Sequence, residues 1–367
     1  MAADSDPILL VGAGLTGSLV ALALMKWRPD VEFVLIEQAQ RFGGGPILPF
    51  FLSSVPLANG PLVDPLIVRK WSGYHVAGPG FNTMSAGRTA YLVPEQIHAE
   101  IVQTVPAHRC LLGRKAVSLD GGTVTLADGW LLRGSVVLDM RGDAERRQSG
   151  TAWRQTISRL LRFSEPHNLV RPILADATFP ESEWTFLQYC PVDPLTLLVQ
   201  YIGYSHDPQM RSIDRIAVES EGGQLFEETV HIERLLGDPS PASADGGIAP
   251  ILAQASSAEI WNPILSSSVA GATRIAKMIA DSPAMSHEVL KTRIGNLFAR
   301  SREYRHQCAF LIERLCSNDP SVRSSMLETL YDLDMETLGR FEASHASNED
   351  LERLGTFAES ARNREAL

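Results

Sequence analysis

Ile8-Leu9-Leu10-Val11-Gly12-Ala13-Gly14-Leu15-Thr16-Gly17 stands close to the start of the chain, and its reading decides the fold. A short apolar run enters a Gly-x-Gly-x-x-Gly turn, and an apolar helix follows from Ser18 to Met25. A second apolar strand, Phe33-Val34-Leu35-Ile36, ends on Glu37. Strand, glycine turn, helix, strand and acid in that order describe a dinucleotide-binding βαβ unit. Gly12 permits the tight turn, Gly14 lets a pyrophosphate approach the backbone, and Gly17 lets helix and strand pack closely. From Leu15 onward the helix N-terminus offers unpaired N–H groups and the positive end of its dipole to phosphate. Glu37 stands at the offset where a carboxylate accepts the ribose hydroxyls.

Arg41-Phe42-Gly43-Gly44-Gly45 follows this unit directly. Glycines just after the acid suit a second close approach of backbone to a bulky cofactor, which favours FAD over NAD. A Gly-rich surface turn is the plainer alternative for Gly43 and Gly44. The expected fold class is α/β: an FAD-binding, Rossmann-like domain of the two-dinucleotide-domain flavoprotein type, a β-sheet substrate domain and a C-terminal helical region.

The 367 residues are enough for one large core or two connected ones. A hydrophobic content of 44% and a charged content of 21% are ordinary for a globular protein. The net charge of −10 argues against nucleic acid and gives no pull toward anionic lipid. No apolar run approaches the ~18–20 residues that span a bilayer. Met1 to Pro7 lacks the basic start and apolar stretch of a secretory signal. Cys110, Cys190, Cys308 and Cys316 form no Cys-x-x-Cys pair, so buried thiols in a reducing cytoplasm are expected. No metal site is expected.

Pro46-Ile47-Leu48-Pro49-Phe50-Phe51-Leu52 is apolar but broken twice by proline, and reads as an extended loop or short strand. Trp71-Ser72-Gly73-Tyr74-His75-Val76 reads as one strand ending in a turn at Gly78-Pro79-Gly80. Pro94 to Val102 is a helix opened by proline. Ala116 to Leu126 is a meander with glycine turns, and Ser135 to Asp139 is a buried strand returning to the dinucleotide sheet. Thr185 to Cys190 and Leu195 to Tyr201 flank Pro191-Val192-Asp193-Pro194, a hairpin signal. A polar Pro/Gly-rich linker runs from Asp238 to Gly247, and Ala270 to Ala280 is a helix returning to the cofactor domain. From Ser286 to Leu354 helical apolar spacing dominates: Leu290, Ile294 and Leu297, then Phe310, Leu311 and Leu315, then Met326, Leu330, Leu333 and Leu338. Core packing explains such spacing, and a greasy wall along a lipid channel is the alternative. The expected division is 1–75, 110–150 and 255–285 for the cofactor domain, 76–109 and 151–237 for the substrate domain, and 286–367 for the helical region.

With these segments placed, the chain resembles the bacterial flavin-dependent lycopene β-cyclases. Val11-Gly12-Ala13-Gly14-Leu15, Trp71-Ser72-Gly73-Tyr74-His75-Val76, Asp139-Met140-Arg141-Gly142, Pro166-His167, Pro172 to Thr178, and Leu330-Tyr331-Asp332-Leu333 with Arg340-Phe341 and Asp350 carry the resemblance. Three departures fall at the reaction centre. The family's Leu-x-Glu-(Asp/Glu)-Thr strand reads Leu198-Val199-Gln200-Tyr201-Ile202, and Gln200 cannot deliver a proton. The His-Pro-Thr-Thr-Gly-Tyr-Ser beside the flavin reads Asn262-Pro263-Ile264-Leu265-Ser266-Ser267-Ser268, without its glycine. The Asn-His-Thr-Trp after the first Gly-Gly is Pro46-Ile47-Leu48-Pro49 here.

The resemblance implies FAD, held by Gly12, Gly14, Leu15, Gly17, Glu37, Gly43, Gly44, Asp139 and Pro263, with NAD(P)H as reductant. It implies a redox-neutral reaction in which a carboxylic acid protonates a polyene end and the resulting cation closes a ring. Asp176 is the first choice for the acid, with Glu183 (and neighbouring Glu181) beyond it and Gln200 at the family position. The plainer readings are a structural hydrogen-bonding carboxylate for Asp176 and a solvated loop for Glu181 and Glu183. Trp71, Tyr74, Trp184 and Tyr201 offer π faces to a cation, or simply pack. His206-Asp207 reads as a turn and His167 as structural. Expected partners are a lipophilic small molecule and no nucleic acid, and peripheral membrane contact suits such a substrate. An FAD- and NAD(P)H-dependent monooxygenase or oxidase of a lipophilic metabolite is the alternative function, and a cofactor-free descendant binding an apolar ligand is the third.

Overall fold

The computed structural model describes residues 6–45, 48–141, 152–179, 184–207, 223–235, 262–265, 267–300, 302–347 and 349–350. The linker from Asp238 to Gly247, Glu181 and Glu183 lie outside the described residues.

Strand β1 (Ile8–Val11) pairs in parallel with β2 (Phe33–Ile36) on one side and β12 (Val136–Asp139) on the other, and β8 (Cys110–Leu111) follows β2. All four residues of β1 are buried, as expected of a parallel strand covered on both faces. Successive side chains serve different layers. Ile8 and Leu10 point into a core shared with helix α1 (Leu15–Trp27), α3 (Pro94–Thr104), α4 (Val269–Ala280) and α5 (His287–Arg300). Leu9 and Val11 point the other way, onto Ala116, Val124 and Leu126 of the small sheet β9 (Ala116–Leu119), β10 (Thr123–Leu126), β11 (Leu131–Arg133). Helix α1 is buried almost all round from Leu15 to Leu24 because the sheet lies under it and α3 and α4 lie against it. It stops at Arg28, ahead of Pro29, with the Arg28 N–H returned to the Leu24 carbonyl at 2.8 Å.

The second large body is a seven-stranded sheet in the order β17-β13-β16-β15-β14-β5-β6. Its members are β5 (Tyr74–Gly78), β6 (Phe81–Ser85), β13 (Ala152–Arg162), β14 (Ile173–Asp176), β15 (Phe186–Asp193), β16 (Thr196–Ser205) and β17 (Gln224–Leu235). A three-stranded antiparallel sheet, β3 (Leu48–Phe51), β7 (Thr89–Leu92) and β4 (Ile67–Trp71), bridges the two bodies. Phe50 faces the core under α1 while Phe51 faces the core of the second body. The single strand expected from Trp71 to Val76 is two, since β4 ends at Trp71 and β5 starts at Tyr74 in a different sheet. Gly73 makes the crossing possible, because a Cβ there would lie 2.7 Å from the Ser85 carbonyl oxygen. The expected hairpin is present, but β15 runs on through Pro191 to Asp193, and the Asp193 carboxylate closes the turn on the Leu195 N–H at 2.8 Å.

The C-terminal helices α6 (Arg302–Leu315), α7 (Pro320–Tyr331) and α8 (Met335–Glu342) cover one face of the large sheet. α2 (Gly60–Val63) is a single turn near α1. The helical spacing that runs through Met326, Leu330, Leu333 and Leu338 breaks in two because Asp334 caps a new helix, accepting from the N–H groups of Glu336 and Thr337. Leu311, Leu315, Met326, Leu330, Leu333 and Leu338 are in the core as their spacing predicts. Phe310 is not: it points outward and is 44% exposed. Among the described residues no helix is long and apolar enough to cross a membrane. Cys190, Cys308 and Cys316 are buried free thiols and Cys110 is half-buried.

Candidate cofactor cradle and active-site face

The glycine turn has the shape that a dinucleotide needs. Gly12 has φ +92°, and a Cβ there would lie 2.8 Å from the backbone nitrogen of Arg141. Gly17 is tighter still, since its Cβ would meet the Gly12 carbonyl oxygen at 2.0 Å. Gly14 is the opposite case. Nothing lies within 4 Å of a Cβ built on it, and no side chain caps the helix it opens. Open space in front of an uncapped helix N-terminus is where a pyrophosphate fits. Leu15, the first helical residue, is buried behind that opening.

Glu37 is drawn back against the turn, its Oε2 accepting from the Ala13 N–H at 2.7 Å and its Oε1 from the Ala39 N–H at 2.9 Å. An ionised carboxylate has about four acceptor positions, so two remain for ribose hydroxyls. The Gly43 N–H donates to the Ala13 carbonyl at 2.8 Å, and a Cβ on Gly44 would lie 3.2 Å from Gly14 Cα. The second glycine cluster therefore lies on the first. Gly12, Gly14, Leu15, Gly17, Glu37, Gly43 and Gly44 share one neighbourhood, and an open cradle with spare acceptors fits FAD. Asp139 borders it from below. Its buried carboxylate takes Nε and Nη2 of Arg141 at 2.8 and 2.9 Å, and Arg141 Nη1 reaches the Ala116 carbonyl at 3.1 Å. Asp139 thus braces the strand exit beside Gly12.

Pro263 sits in a knot tied by a residue that spacing alone does not single out. Asn262 is fully buried, and its Oδ1 accepts from the N–H groups of Ile264 and Leu265 at 2.9 and 2.8 Å. Its Nδ2 donates to the Tyr304 hydroxyl at 2.7 Å and the Phe341 carbonyl at 2.8 Å. The Tyr204 hydroxyl donates to the Pro263 carbonyl at 2.7 Å. Ile264 and Leu265 point into the core, and the next described hydroxyl, Ser267 Oγ, is buried as well.

The residues expected at the reaction centre divide between the two faces of the large sheet. On the face toward the C-terminal helices, Gln200 Nε2 donates to Ser158 Oγ at 2.9 Å. Gln188, opposite Gln200 in the register, donates to the Leu174 carbonyl at 2.6 Å. Tyr74 shares the core there with Phe51, Tyr204, Tyr331 and Phe341. Trp71 stacks on Tyr91 at 5.2 Å in a neighbouring cluster with Cys190 and Leu198. Trp184 and Tyr201 are elsewhere. They meet edge to face at 5.8 Å on the far side of the sheet, packed with Ile157, Leu161, Leu187 and Val199. The alternation of β16 imposes this, since Gln200 and Tyr201 are neighbours in sequence and must face opposite ways. The structure does not bring Trp184 or Tyr201 together with Tyr74 and Gln200.

Asp176 ends β14 in a turn, its Oδ1 accepting from the Thr178 N–H at 3.0 Å and the Thr178 hydroxyl at 2.6 Å. It closes the turn at the end of β14. His167 does similar work, bonding the Asp193 carbonyl at 2.8 Å and the Leu169 N–H at 3.1 Å. His206 pairs with Glu313 at 3.0 Å. Among the described residues no group of three His, Cys, Asp or Glu side chains could hold a metal ion.

A match to the family model for lycopene cyclase protein spans residues 7–217. The chain belongs to the lycopene cyclase protein family. The lycopene beta-cyclase of Pseudescherichia vulneris is 27% identical over 365 residues, covering 95% of this chain and 93% of that one. The lycopene beta-cyclase of a Paracoccus species is 24% identical, again over 95% of this chain and 93% of the other. Solved structures share the fold at much lower identity. A geranylgeranyl bacteriochlorophyll reductase-like protein from Thermoplasma acidophilum superposes with a TM-score of 0.66 at 12% identity, covering 98% of this chain and 99% of that one. A probable FAD-dependent monooxygenase from Pseudomonas aeruginosa gives 0.55 at 14%, covering 86% and 98%. The fold is the Rossmann-like FAD-binding one, and this lycopene cyclase family member is a flavoprotein and an enzyme.

One acid in this family member escaped the reading of its sequence. Glu342, the last residue of α8, is 3% exposed, and its Oε2 accepts from the Phe51 N–H at 2.9 Å. Burial pushes its carboxyl up to about 8, against the opposing pull of hydrogen bonds from Ser54 and the Phe51 N–H and of nearby Ser267. The signal was present in the spacing. Glu342 follows Leu338 by four residues and Phe341 by one, so it shares the apolar stripe of its helix.

Proposed function

We propose that this protein is an FAD-dependent, redox-neutral cyclase or isomerase of a lipophilic polyene or terpenoid, acting by acid-initiated carbocation ring closure. The observation that carries the reading is the cradle at Gly12, Gly14, Gly17, Glu37, Gly43 and Gly44, within a chain that aligns with lycopene beta-cyclases along nearly its whole length. Gly14 and the N–H of Leu15 would receive the pyrophosphate, and the two unused acceptor positions of Glu37 would receive the ribose. Bound and reduced, FAD would supply negative charge to stabilise a cation, with NAD(P)H needed only to reach that state. The chain's own part is to hold the polyene end in an apolar, aromatic wall, to exclude water from the cation and to move one proton. Tyr74, Phe51 and Tyr331 present ring faces to that wall, with Tyr74 5.5 Å from Phe51 and 6.1 Å from Tyr331. The substrate domain assigned to 76–109 and 151–237, the cofactor domain and the helical region 286–367 belong to the same proposal, as does peripheral contact with a membrane that stores the substrate.

The purified protein should be yellow and release FAD on denaturation. Reduced anaerobically, it should convert lycopene in liposomes to an isomer of equal mass without consuming NAD(P)H in step with product. A second reading, a monooxygenase or oxidase of a lipophilic metabolite, draws on the fold shared with FAD-dependent monooxygenases. Consumption of NAD(P)H and oxygen in proportion to a product heavier by one oxygen atom would select it instead. Protein that stays colourless after incubation with FAD would refute both.

A further inference from the structure

Gln200 leaves the strand position of the family's glutamate without an acid, yet a carboxyl is buried close behind the same face. Glu342 closes α8, and neither the strand 48–51 nor the turn 52–54 packed against that helix carries a titratable side chain. Its Oε2 accepts the Phe51 N–H, and Ser54 stands beside it. The Ser54 hydroxyl donates to the Phe51 carbonyl at 2.7 Å. Among the described residues no cation pairs with Glu342. Arg274, the guanidinium on neighbouring α4, sends Nη1 to the carbonyls of Ala343 and Ser344. Arg340, on the same helix, turns to Asp350 and Glu336. The other titratable groups near it are the phenols of Tyr74, Tyr204, Tyr304 and Tyr331. Deep burial without a cation partner favours the neutral carboxylic acid and outweighs its hydrogen bonds, which favour the ionised form.

The surroundings suit what such an acid could do. Tyr331 interacts electrostatically with Glu342, Tyr74 and Tyr204 together. Its hydroxyl lies 3.5 Å from the Leu174 carbonyl, the acceptor of Gln188, which pairs across from Gln200. The acid, the aromatic rings and the Gln200 position thus belong to one wall. Ser267 Oγ is buried beside Glu342.

We propose that Glu342 is the proton donor of this enzyme, a catalytic acid relocated from the sheet to the C-terminal helix. The proposal rests on the cyclase reading above. The Glu342 carboxyl gives its proton to the terminal carbon–carbon double bond, whose electrons form the new C–H bond and leave a tertiary cation. The next double bond supplies the electrons of the ring-closing C–C bond. The ring carbon beside the displaced cation then returns a proton to the Glu342 carboxylate, and its C–H pair becomes the ring double bond. Nothing is oxidised or reduced, and the acid is regenerated.

The test compares wild type, Glu342→Gln and Glu342→Asp as FAD-loaded, anaerobically reduced holoenzymes, with lycopene in liposomes as the probe. Glu342→Gln should keep the wild-type flavin spectrum and lose about 100-fold or more of turnover, the range for removing a general acid. Glu342→Asp should retain an intermediate rate. Wild-type turnover should fall as pH rises through about 8. Infrared spectra of the protein without substrate should show a protonated carboxyl band near neutral pH that Glu342→Gln lacks. Active wild type with Glu342→Gln within about threefold of it, or the same carboxyl band in both, would overturn the assignment to Glu342 alone. Wild type inert toward lycopene would overturn the cyclase reading, and the assignment with it.

Discussion

The cofactor cradle and the active-site face are built in opposite ways. The cradle is local: Gly12 to Gly17, Glu37 and Gly43 to Gly44 lie within one short stretch, and backbone hydrogen bonds from Ala13 and Gly43 hold them together. The active-site face is assembled from afar. Phe51, Tyr74, Gln188, Gln200, Tyr331 and Glu342 come from six elements, and side-chain packing brings them together. A local site tolerates few changes to its backbone and many around it. A dispersed site can exchange its chemistry one side chain at a time while the fold stays the same, which is how Gln200 and Glu342 coexist with an intact glycine turn.

The sharpest way to break this contrast is to cut the knot that fastens the dispersed face. Asn262→Ala removes a fully buried amide and leaves the N–H groups of Ile264 and Leu265 without an acceptor. A loss on the order of 3 kcal/mol is expected in urea unfolding, from two or more buried groups left unpaired. The glycine turn shares none of these bonds, so FAD affinity of the folded fraction should stay near wild type. Equal losses of stability and FAD affinity would mean that the two regions are not separable.

Glu342 sharpens the comparison through pH. Its folded carboxyl stands at about 8, above the ordinary 4.5, so the folded state holds a proton that the unfolded state has released across that interval. The protein should therefore lose stability as pH rises from about 4.5 to about 8, with this group's slope approaching about 1.4 kcal/mol per pH unit. Glu342→Gln should flatten that slope and be more stable than wild type at pH 8 and above. Denaturant midpoints at several pH values would check it, and an unchanged slope in the variant would mean that Glu342 is ionised in the folded protein.

In the cradle, the comparable test is Glu37→Ala. It removes the ribose acceptor but also the partner of the Ala13 and Ala39 N–H groups. FAD should bind on the order of tenfold to a hundredfold more weakly, one or two lost charged hydrogen bonds, as read by fluorescence titration of the apoprotein. Turnover at saturating FAD should be nearly unchanged, because the dispersed face does not depend on this carboxylate.

The same contrast explains how much could be read from residue order. The βαβ unit was legible because strand, glycine turn, helix and acid are each local signals with a mechanism. The meander at Ala116 to Leu126 and the helices with Leu290, Met326 and Leu338 were legible for the same reason. Trp71 and Tyr74 were read as one strand because nothing local says that Gly73 carries the chain from one sheet to another. Trp184 and Tyr201 were grouped with Tyr74 by residue type, whereas the two-residue period of a strand already sends Tyr201 away from Gln200. Glu342 follows Arg340-Phe341 directly, and only its helical offset from Leu338 marks it as a carboxyl on an apolar stripe.

The smallest effect is expected at the residue that sequence favoured for the acid. Asp176 belongs to a retained motif, but its carboxylate is spent on the backbone N–H and hydroxyl of Thr178 at the strand end. Both hydrogen bonds engage the same oxygen, Oδ1, and tie the carboxylate to the strand end. Asp176→Asn keeps one acceptor oxygen for the turn, so it should cost only about 0.5–1 kcal/mol of stability. Turnover should stay within about threefold of wild type, less than any loss of a proton donor. If Asp176→Asn instead abolished turnover with flavin binding intact while Glu342→Gln did not, the acid would have stayed on the sheet, and the dispersed face would be more conservative than Gln200 suggests.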